Sequence, residues 1–356
     1  MKVACFGTFG GRTGYSSCTR GFTKFLRTMG IDVDIFPLQA PDQRDQWWKT
    51  EEIIAEKIKN ADGKNKYDIK LLFANPFALD NFEDPTEFVL HTVWETDRIP
   101  VQFVHRSMAT RHVLVGSKFS QEVFAKDGIE SDVSHEGYDE HVFYPEKLPH
   151  SRFRFVCVAE WMPRKNLPKL IKVFADTFEG KNDVELFLKT WNSHGLPPGE
   201  IEQVIHYFNR SRARIIPLFN PMPDSKMRDL YAQCDVSVSS TYGEGFGRTQ
   251  LESMACGLPN IVTGWSAHTE FINNKNGWLV DYNLEPVLPH FTEYSDDQMW
   301  AQIDDTDLSE KMLYAYEHQR EVQEKGIKSI EDAKPFTWPK VTRTLITNLE
   351  KICDKA

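Results

Sequence analysis

The stretch Tyr242-Gly-Glu-Gly-Phe-Gly-Arg-Thr-Gln-Leu-Glu252 says most about how this chain folds. It follows an apolar run, Val236–Ser239, that predicts a buried strand, and it leads into a helix predicted over Thr249–Cys256. Glycines in such a loop let backbone amides face a ligand. Glu244 lies in the loop. Glu252 lies in the first turns of the helix, where the helix dipole stabilises a carboxylate that accepts hydrogen bonds from vicinal hydroxyls. Capping or salt-bridge roles for both carboxylates are the alternative.

Strands and helices alternate outward from this stretch in both directions, which is typical of an α/β fold. In the first half, strands are predicted at 2–6, 33–36, 69–74 and 113–117, and helices at 16–29 and 119–126. In the second half, strands are predicted at 153–159, 184–189, 214–218, 236–239 and 260–262, and helices at 167–178, 199–209, 226–234, 249–256 and 338–352. The polar stretch 137–151 predicts a linker, and the acidic stretch 285–307 predicts an irregular surface insertion. Two α/β domains in tandem are therefore expected.

Two cations follow the first strand of the second half. The run Phe153–Ala159 is apolar at nearly every position, which indicates a strand buried on both faces, and Arg164-Lys165 comes just before the next predicted helix. In open α/β sheets, ligands bind at the carboxyl ends of the strands. Arginine holds a phosphate through two parallel hydrogen bonds, and lysine adds a point charge. This corner predicts an anion site; a solvated helix start is the alternative.

A second glycine-rich loop, Gly7–Gly14, follows the first predicted strand and opens a helix. Free amides at a helix N-terminus attract anions. The spacing of this loop matches neither the dinucleotide fingerprint G-x-G-x-x-G nor the phosphate loop G-x-x-x-x-G-K-[ST]. The loop therefore predicts either a ligand contact or a tight turn without a ligand.

The composition disfavours several classes of protein. The chain has 356 residues, of which 40% are hydrophobic and 26% charged, and this is ordinary globular usage. A net charge of −10 disfavours non-specific binding to nucleic acid. No run of about 18 apolar residues occurs, and the first residues lead directly into glycines, so neither a membrane span nor a signal peptide is predicted. Six cysteines without C-x-x-C spacing predict reduced thiols and a cytoplasmic protein.

Together these motifs resemble the GT-B-fold retaining glycosyltransferases of family four, the glycosyl transferases group 1. That family has two glutamates with seven residues between them inside an EGFG…LEAMACGLP stretch, and this chain has Glu244-Gly-Phe-Gly-Arg-Thr-Gln-Leu-Glu252-Ser-Met-Ala-Cys-Gly-Leu-Pro259. Arg164-Lys165-Asn166 is similar to the family's G-R…K-N junction, with a longer spacing here. The resemblance covers nearly the whole chain. It implies two Rossmann-like doubly wound domains that face a cleft: an acceptor-side domain at 1–145 plus a returning helix at 336–356, and a nucleotide-sugar-binding domain at 146–335.

The resemblance also implies the chemistry. Enzymes of this family move a sugar from a nucleotide donor to an acceptor hydroxyl, with retention at the anomeric carbon and without an obligatory metal. By resemblance, Arg164 and Lys165 would neutralise the donor diphosphate as the leaving group gains charge, and Glu244 would hold hydroxyls of the transferred sugar. A histidine near that sugar would be His91 or His105, each with an ordinary loop or core role as the alternative.

The remaining residues implied by the resemblance would bind the donor. Their expected roles are ribose binding by Glu252, amide contacts to the phosphates from Phe246 and Gly247, and closure from the N-terminal domain by Gly10 and Gly11. The base is expected near Thr190 and the stretch Pro217–Phe219, from their position at predicted strand ends. The donor would be a UDP- or GDP-sugar that acts as a co-substrate, with no tightly bound cofactor. The obvious metal candidate, Asp32-Val-Asp34, falls inside a predicted strand, and no metal is expected.

The acceptor is less defined by the sequence. A hydroxyl on a glycan, a lipid-linked molecule, a small molecule or a modified nucleic-acid base would serve, and the net charge of −10 does not favour nucleic acid. The segment Arg98–Gln121 contains four Lys or Arg residues and two histidines but no acid, which favours an anionic acceptor; a solvated surface is the alternative. Two other functions compete with transfer: a catalytically idle GT-B protein that binds sugar nucleotides as a scaffold or sensor, and a phosphorylase or epimerase of the same architecture.

Overall fold

Each half of the chain builds one parallel six-stranded sheet in the computed structural model, which describes residues 1–11, 13–39, 66–192, 197–287 and 294–354. The described residues divide into two compact units. One unit comprises 1–139, 294–295 and 336–354, and the other comprises 140–287 and 296–335.

The first unit is a doubly wound sheet. Its strands are β1 (Lys2–Gly7), β2 (Asp32–Pro37), β3 (Ile69–Phe73), β4 (Phe88–Thr92), β5 (His112–Val115) and β6 (Ser131–Val133), in the order β2-β1-β3-β4-β5-β6. The helices beside it are α1 (Gly14–Thr28), α2 (Val101–Met108) and α3 (Lys118–Lys126). Strands β4 and β6 and helix α2 were not predicted from the sequence.

The last helix packs onto this first unit. The helix α10 (Trp338–Asp354) lies against α1, where the indole of Trp338 covers Gly21. A Cβ atom at Gly21 would lie 2.2 Å from the ring of Trp338, so the two helices approach each other at a position that only glycine allows. Packing of this kind commits the C-terminal residues to the N-terminal unit.

The second unit repeats the architecture. Its sheet contains β7 (Phe153–Glu160), β8 (Val184–Trp191), β9 (Ile215–Leu218), β10 (Val236–Ser239), β11 (Asn260–Thr263) and β12 (Gly277–Val280), in the order β12-β11-β10-β7-β8-β9. The helices are α4 (Leu167–Thr177), α5 (Pro198–Phe208), α6 (Asp224–Ala232), α7 (Arg248–Ala255), α8 (Asp305–Glu317) and α9 (Gln319–Ala333). The central strand β7 is buried on both faces, and Phe155 packs with Phe174 and Phe178 of the α4 layer.

The prediction of an irregular surface insertion at 285–307 is wrong for the described part of that stretch. Strands β13 (Tyr282–Pro286) and β14 (Met299–Ile303) pair as an antiparallel hairpin. Trp300 is buried, and its ring stacks on Tyr242 at 4.2 Å with an angle of 8°. The prediction failed because it relied on the many acidic residues of the stretch and gave no weight to Trp300, which anchors the hairpin.

No described helix combines the length and the hydrophobicity that a crossing of the bilayer requires.

Candidate functional site

The chemistry-bearing side chains of the second unit gather at one edge of its sheet. Strands β11, β10, β7 and β8 are neighbours and run parallel, so their carboxyl ends meet at the same edge. The loops that follow β10 and β7 carry Glu244 and the pair Arg164-Lys165, which are about 80 residues apart in the sequence but in contact here. Parallel topology thus produces the cluster.

The two cations lie in a short 3₁₀ turn, Pro163–Lys165, between β7 and α4. The backbone leaves this turn through Asn166 in the left-handed conformation (φ 51°) and enters α4 at Leu167. The guanidinium of Arg164 is directed inward, where it donates to the carbonyl of Gly243 and to Oε2 of Glu244 at 3.2 Å. The solvated helix start considered for this corner therefore does not describe Arg164, which is buried.

Glu244 is held by both cations. Nζ of Lys165 lies 2.6 Å from Oε1 and 2.7 Å from Oε2 of the carboxylate, and Arg164 contacts Oε2 as well. Glu244 is 5% exposed, and this burial alone would raise its pKa. The charges of Lys165 and Arg164 outweigh the burial and lower the pKa of Glu244 to about 2. The carboxylate is consequently ionised at any physiological pH.

The loop of Glu244 is braced by the segment after β11. The amide of Glu244 donates to Oγ of Ser266 at 2.8 Å, and the amide of Ala267 donates back to the carbonyl of Glu244 at 3.2 Å. Ser266 has φ 76°, an uncommon backbone conformation for a residue with a side chain. The bracing fixes where the carboxylate enters the site.

Gly247 ends this loop and caps helix α7. Its φ of 101° is accessible to glycine, and a Cβ atom there would lie 2.8 Å from Cβ of His268. His268 is fully buried, and its Nε2 is 2.7 Å from the carbonyl of Thr263, so Nε2 is the protonated nitrogen. Burial lowers the pKa of His268, which therefore stays neutral behind the loop.

The other predicted donor-binding residues of this unit lie along the same edge. Glu252 is on α7, where Oε1 accepts from Nη2 of Arg248 at 3.1 Å, one helical turn away. Phe246 is buried in the loop against Phe271. Thr190 is the penultimate residue of β8, with its hydroxyl fully buried and without a hydrogen-bond partner among the described residues, and Phe219 directly follows β9.

Aromatic side chains flank the ends of β7 and β8. Trp161 directly follows β7, and Trp191 is the last residue of the neighbouring strand β8. The amide of Trp161 donates to the carbonyl of Trp191 at 2.6 Å. Both residues are half-buried, and Lys189 lies 5.3 Å from the ring centre of Trp191. These two tryptophans were not predicted as site residues, although their position directly after predicted strands was a usable signal.

Ser266 and His268 were missed in the same way. Both follow β11, and the rule that identified Arg164 and Lys165, a polar residue just after a buried strand, applies to them equally. Their contacts with Glu244 and Gly247 are long-range, so their role as supports becomes visible only in the fold.

The glycine loop of the first unit is held by an arginine. Nη1 of Arg20 on α1 donates to the carbonyls of Phe9 at 2.6 Å and Gly11 at 2.8 Å. Gly11 has φ 75°, while Gly10 precedes it without a helical or strand assignment. Thr13 caps α1 by accepting from the amide of Ser16 at 3.2 Å. The predicted ligand contact of Gly10 and Gly11 stays a prediction.

The two candidate histidines occupy different environments. His91 lies in β4 at 1% exposure, its Nε2 is 2.9 Å from the carbonyl of Ser134, and its ring packs on Phe22 and Phe73. Burial lowers the pKa of His91 to about 4. These are the features of the core histidine that the sequence analysis gave as the alternative. His105 lies exposed on α2.

Three side chains of the cationic segment Arg98–Gln121 are engaged by neighbouring groups. Arg106 forms a two-pronged ion pair with Asp80 at 2.6 and 2.8 Å, and His112 contacts Asp132 at 2.9 Å. Nη1 of Arg111 donates to the carbonyl of Asp68 at 2.8 Å. Because Arg106, Arg111 and His112 are engaged in this way, they give less support to an anionic acceptor, which stays a prediction.

Within the described ranges, no three His, Cys, Asp or Glu side chains converge in an arrangement that could hold a metal ion. The Asp32-Val-Asp34 candidate lies in β2, as predicted, and Asp34 accepts from the hydroxyl of Tyr67 at 2.9 Å.

The comparisons with known proteins agree with this geometry. Residues 152–287 match the family described as glycosyl transferases group 1, a range that covers β7 to β13 and every site residue named above in the second unit. The chain is 26% identical over 149 residues to D-inositol 3-phosphate glycosyltransferase of Corynebacterium diphtheriae, which is 40% of this chain and 30% of that protein. It is 29% identical over 83 residues to O-antigen chain mannosyltransferase B of Escherichia coli, which is 23% of this chain and 22% of that protein. The matches thus span less than a third of either relative.

Solved structures match the whole chain. Sucrose-phosphate synthase from Thermosynechococcus elongatus has a TM-score of 0.76 and 16% identity, with all of both chains covered. HepE of Anabaena, solved in complex with UDP and glucose, has a TM-score of 0.68 and 16% identity, with 99% of this chain and 100% of that chain covered. At this identity the likeness establishes the fold, which is GT-B with two Rossmann-like domains.

Proposed function

We propose that this chain, whose residues 152–287 belong to the glycosyl transferases group 1, is a glycosyltransferase that moves a sugar from a nucleotide-sugar donor to an acceptor hydroxyl. The proposal depends above all on the buried cluster of Arg164, Lys165 and Glu244 at the carboxyl edge of the second sheet.

The departure of the nucleoside diphosphate accounts for the position of the two cations in the site. When the sugar leaves the donor, negative charge grows on the diphosphate, and preorganised donors in a buried site stabilise that charge. Arg164 and Lys165 are both largely buried and lie side by side at the sheet edge, so both positive charges can act on the diphosphate from a buried site. We assign them the diphosphate.

Two carboxylates explain the recognition of hydroxyls. Glu244 enters the site from the loop, and we assign it the hydroxyls of the transferred sugar. Glu252 lies on α7, a little over a turn after the loop, and we assign it the ribose. Ionised carboxylates only accept hydrogen bonds, and vicinal hydroxyls supply two donors in the matching geometry. Phe246 and Gly247 present backbone amides, and Thr190 and Phe219 lie at the strand ends where the base would bind.

We propose a UDP-hexose as the donor, since HepE is solved in complexes with UDP and with UDP-glucose; a GDP-sugar is the second choice. The donor acts as a co-substrate, transfer proceeds with retention and without a metal, and no cofactor stays tightly bound. We propose that the acceptor supplies a neutral hydroxyl, because Arg106 and Arg111 of the segment Arg98–Gln121 are engaged within the first unit. We propose a cytoplasmic location.

A thermal-shift screen tests donor binding first. UDP, GDP, ADP, CMP and TDP are compared with and without their sugars, and a ligand at about a hundredfold over its Kd raises the unfolding free energy by about 2.7 kcal/mol. Stabilisation by one nucleotide family, stronger with its sugar, is the expected result. The responding donor is then tested for transfer and for hydrolysis with EDTA present, and the anomeric configuration of the product is read by NMR.

The outcomes separate the competing functions. Binding with transfer in EDTA supports the proposal, and an inverted product anomer removes retention from it. Binding without transfer to any hydroxyl acceptor favours the idle scaffold. No response to any nucleotide contradicts the donor site itself.

A further inference from the structure

We propose that Glu244 is an internal counter-anion that occupies the cationic site until a ligand with sugar hydroxyls binds, and that it thereby makes the site prefer the sugar nucleotide over the nucleoside diphosphate that transfer leaves behind. The inference rests on the proposed function and adds to it a cause of discrimination between substrate and product.

In the structure, the carboxylate of Glu244 contacts both cations. Lys165 contacts both oxygens of Glu244, at 2.6 and 2.7 Å, and Arg164 contacts Oε2 at 3.2 Å. The three side chains are between 7% and 16% exposed. One carboxylate of the same chain therefore already offsets one of the two positive charges that are assigned to the diphosphate. Binding of a phosphate is an exchange of one anion for another.

A bound diphosphate would compete with Glu244 for the N–H donors of Lys165. A lysine ammonium offers three N–H donors in total, and Lys165 directs contacts to both oxygens of Glu244. A diphosphate needs the same donors and brings further negative charge next to Glu244. In a buried site, like charges a few ångströms apart repel strongly. A ligand that offers only phosphate therefore meets a carboxylate that has lost Lys165 and keeps only its longer contact with Arg164.

A carboxylate that is displaced from Lys165 needs other hydrogen-bond donors. Ionised Glu244 can only accept hydrogen bonds, and a buried acceptor without donors is costly. The hydroxyls of the transferred sugar supply such donors, so the sugar nucleotide compensates Glu244 for the lysine that it loses. The nucleoside diphosphate has no sugar at that position and offers no compensation. Return of Glu244 to Lys165 then favours release of the product.

The variant Glu244→Gln separates these effects. Glutamine keeps the size of the side chain and removes the charge that competes with phosphate. We expect E244Q to bind the recognised nucleoside diphosphate, UDP or GDP, and inorganic pyrophosphate about tenfold tighter than the wild type. The preference for the sugar nucleotide over the nucleoside diphosphate should fall by a similar factor, measured by calorimetry with UDP and UDP-glucose, or GDP and GDP-mannose, at fixed ionic strength.

Glu185→Gln is the matched control. Glu185 is buried at the amino end of β8, where Arg154 lies 2.6 Å from Oε1 and Arg214 lies 3.4 Å from Oε2. The variant makes the same change in net charge at a buried ion pair away from the candidate site. We expect its affinity for pyrophosphate and for the nucleoside diphosphate to equal that of the wild type within about twofold.

The outcomes distinguish the inference from the function on which it rests. Wild type that binds the nucleotide, with E244Q no tighter, overturns the counter-anion and leaves the donor site standing. Equal tightening in E185Q also overturns it, since net charge would then explain the gain. No binding of any nucleotide to either protein, and no transfer, overturns the proposed function and the inference together. If E244Q does not fold, E244D takes its place: it withdraws the carboxylate from Lys165 by one methylene, and a gain above about twofold is expected, while no gain overturns the inference.

Discussion

Lys165 holds Glu244 by both carboxylate oxygens, with Nζ at 2.6 Å from Oε1 and 2.7 Å from Oε2. The contact joins the loop after β7 to the loop after β10, and the amide of Tyr242 reinforces it by donating to the carbonyl of Arg164 at 2.9 Å. The ion pair therefore belongs both to the folded structure and to the candidate site.

Removal of the lysine charge should destabilise the fold. In Lys165→Met, Glu244 stays buried and keeps only Arg164, and loss of one partner from a buried ion pair costs about 3 kcal/mol. Urea denaturation followed by circular dichroism measures the loss. Lys172→Met is the control, because Lys172 pairs with Asp176 at 2.7 Å on the exposed face of α4. Its loss should stay below about 0.5 kcal/mol, and equal losses in the two variants would contradict the buried pair.

The same pair predicts an acid dependence of stability. The pKa of Glu244 falls from its ordinary value of 4.5 to about 2, since the cations outweigh burial. The folded state thus favours the charged carboxylate, and the stabilisation is fully present above pH 4.5 and is lost as the pH falls towards 2. The unfolding free energy of the wild type relative to E244Q should shrink by about 3 kcal/mol across that window. A difference that stays constant with pH would show that the pair contributes nothing through ionisation.

Gly247 should tolerate no side chain. Gly247→Ala forces alanine into a φ of 101° and brings its Cβ to 2.8 Å from Cβ of His268, so we expect a loss of about 3 kcal/mol. Donor binding should weaken with it, because the loop that carries Glu244 ends here. Gly199→Ala is the control: the site is open, lies in the first turn of α5, and should be unchanged or slightly stabilised. Thermal unfolding of both variants checks the contrast.

Much of the site followed from the sequence because parallel strands have a common polarity. Once Phe153–Ala159 and Val236–Ser239 are identified as buried neighbouring strands, the loops after them must lie at one edge of the sheet. The contact of Lys165 with Glu244 did not follow, since 79 residues separate them and nothing local specifies the rotamers. The arginines of Arg98–Gln121 show the same limit: Asp80, the partner of Arg106, is 26 residues away.

Strand β4 was not predicted, because a polar residue interrupts its apolar sequence pattern. The run Phe88–Thr92 is buried throughout, but His91 interrupts its apolar pattern. The polar ring is tolerated because it bonds to the carbonyl of Ser134, 43 residues away. Only the fold provides that partner.

His91 should contribute to the pH dependence of the free energy of unfolding. Burial lowers its pKa from 6.5 to about 4, against the hydrogen bond to Ser134. The folded state favours the neutral ring, so its contribution is present above pH 6.5 and is lost as the pH falls towards 4. The wild type should lose about 3 kcal/mol from this source, and His91→Phe should flatten the slope. His105→Asn, at an exposed position, should leave the slope unchanged. A fall in turnover of folded H91F would instead indicate a role at the transferred sugar.

Trp300 should anchor the hairpin to the glutamate loop. Its ring is 1% exposed and stacks on Tyr242 at 4.2 Å, and the amide of Ala301 donates to the carbonyl of Tyr242 at 2.9 Å. Because Tyr242 precedes Glu244 by two residues, loss of the stack should loosen the site as well as the fold. We expect Trp300→Ala to lower the unfolding free energy by about 4 kcal/mol and to weaken nucleotide binding. Trp300→Phe keeps an aromatic face and should recover most of both losses. Equal damage from both substitutions would mean that the indole ring itself, rather than the stacking, holds the hairpin in position.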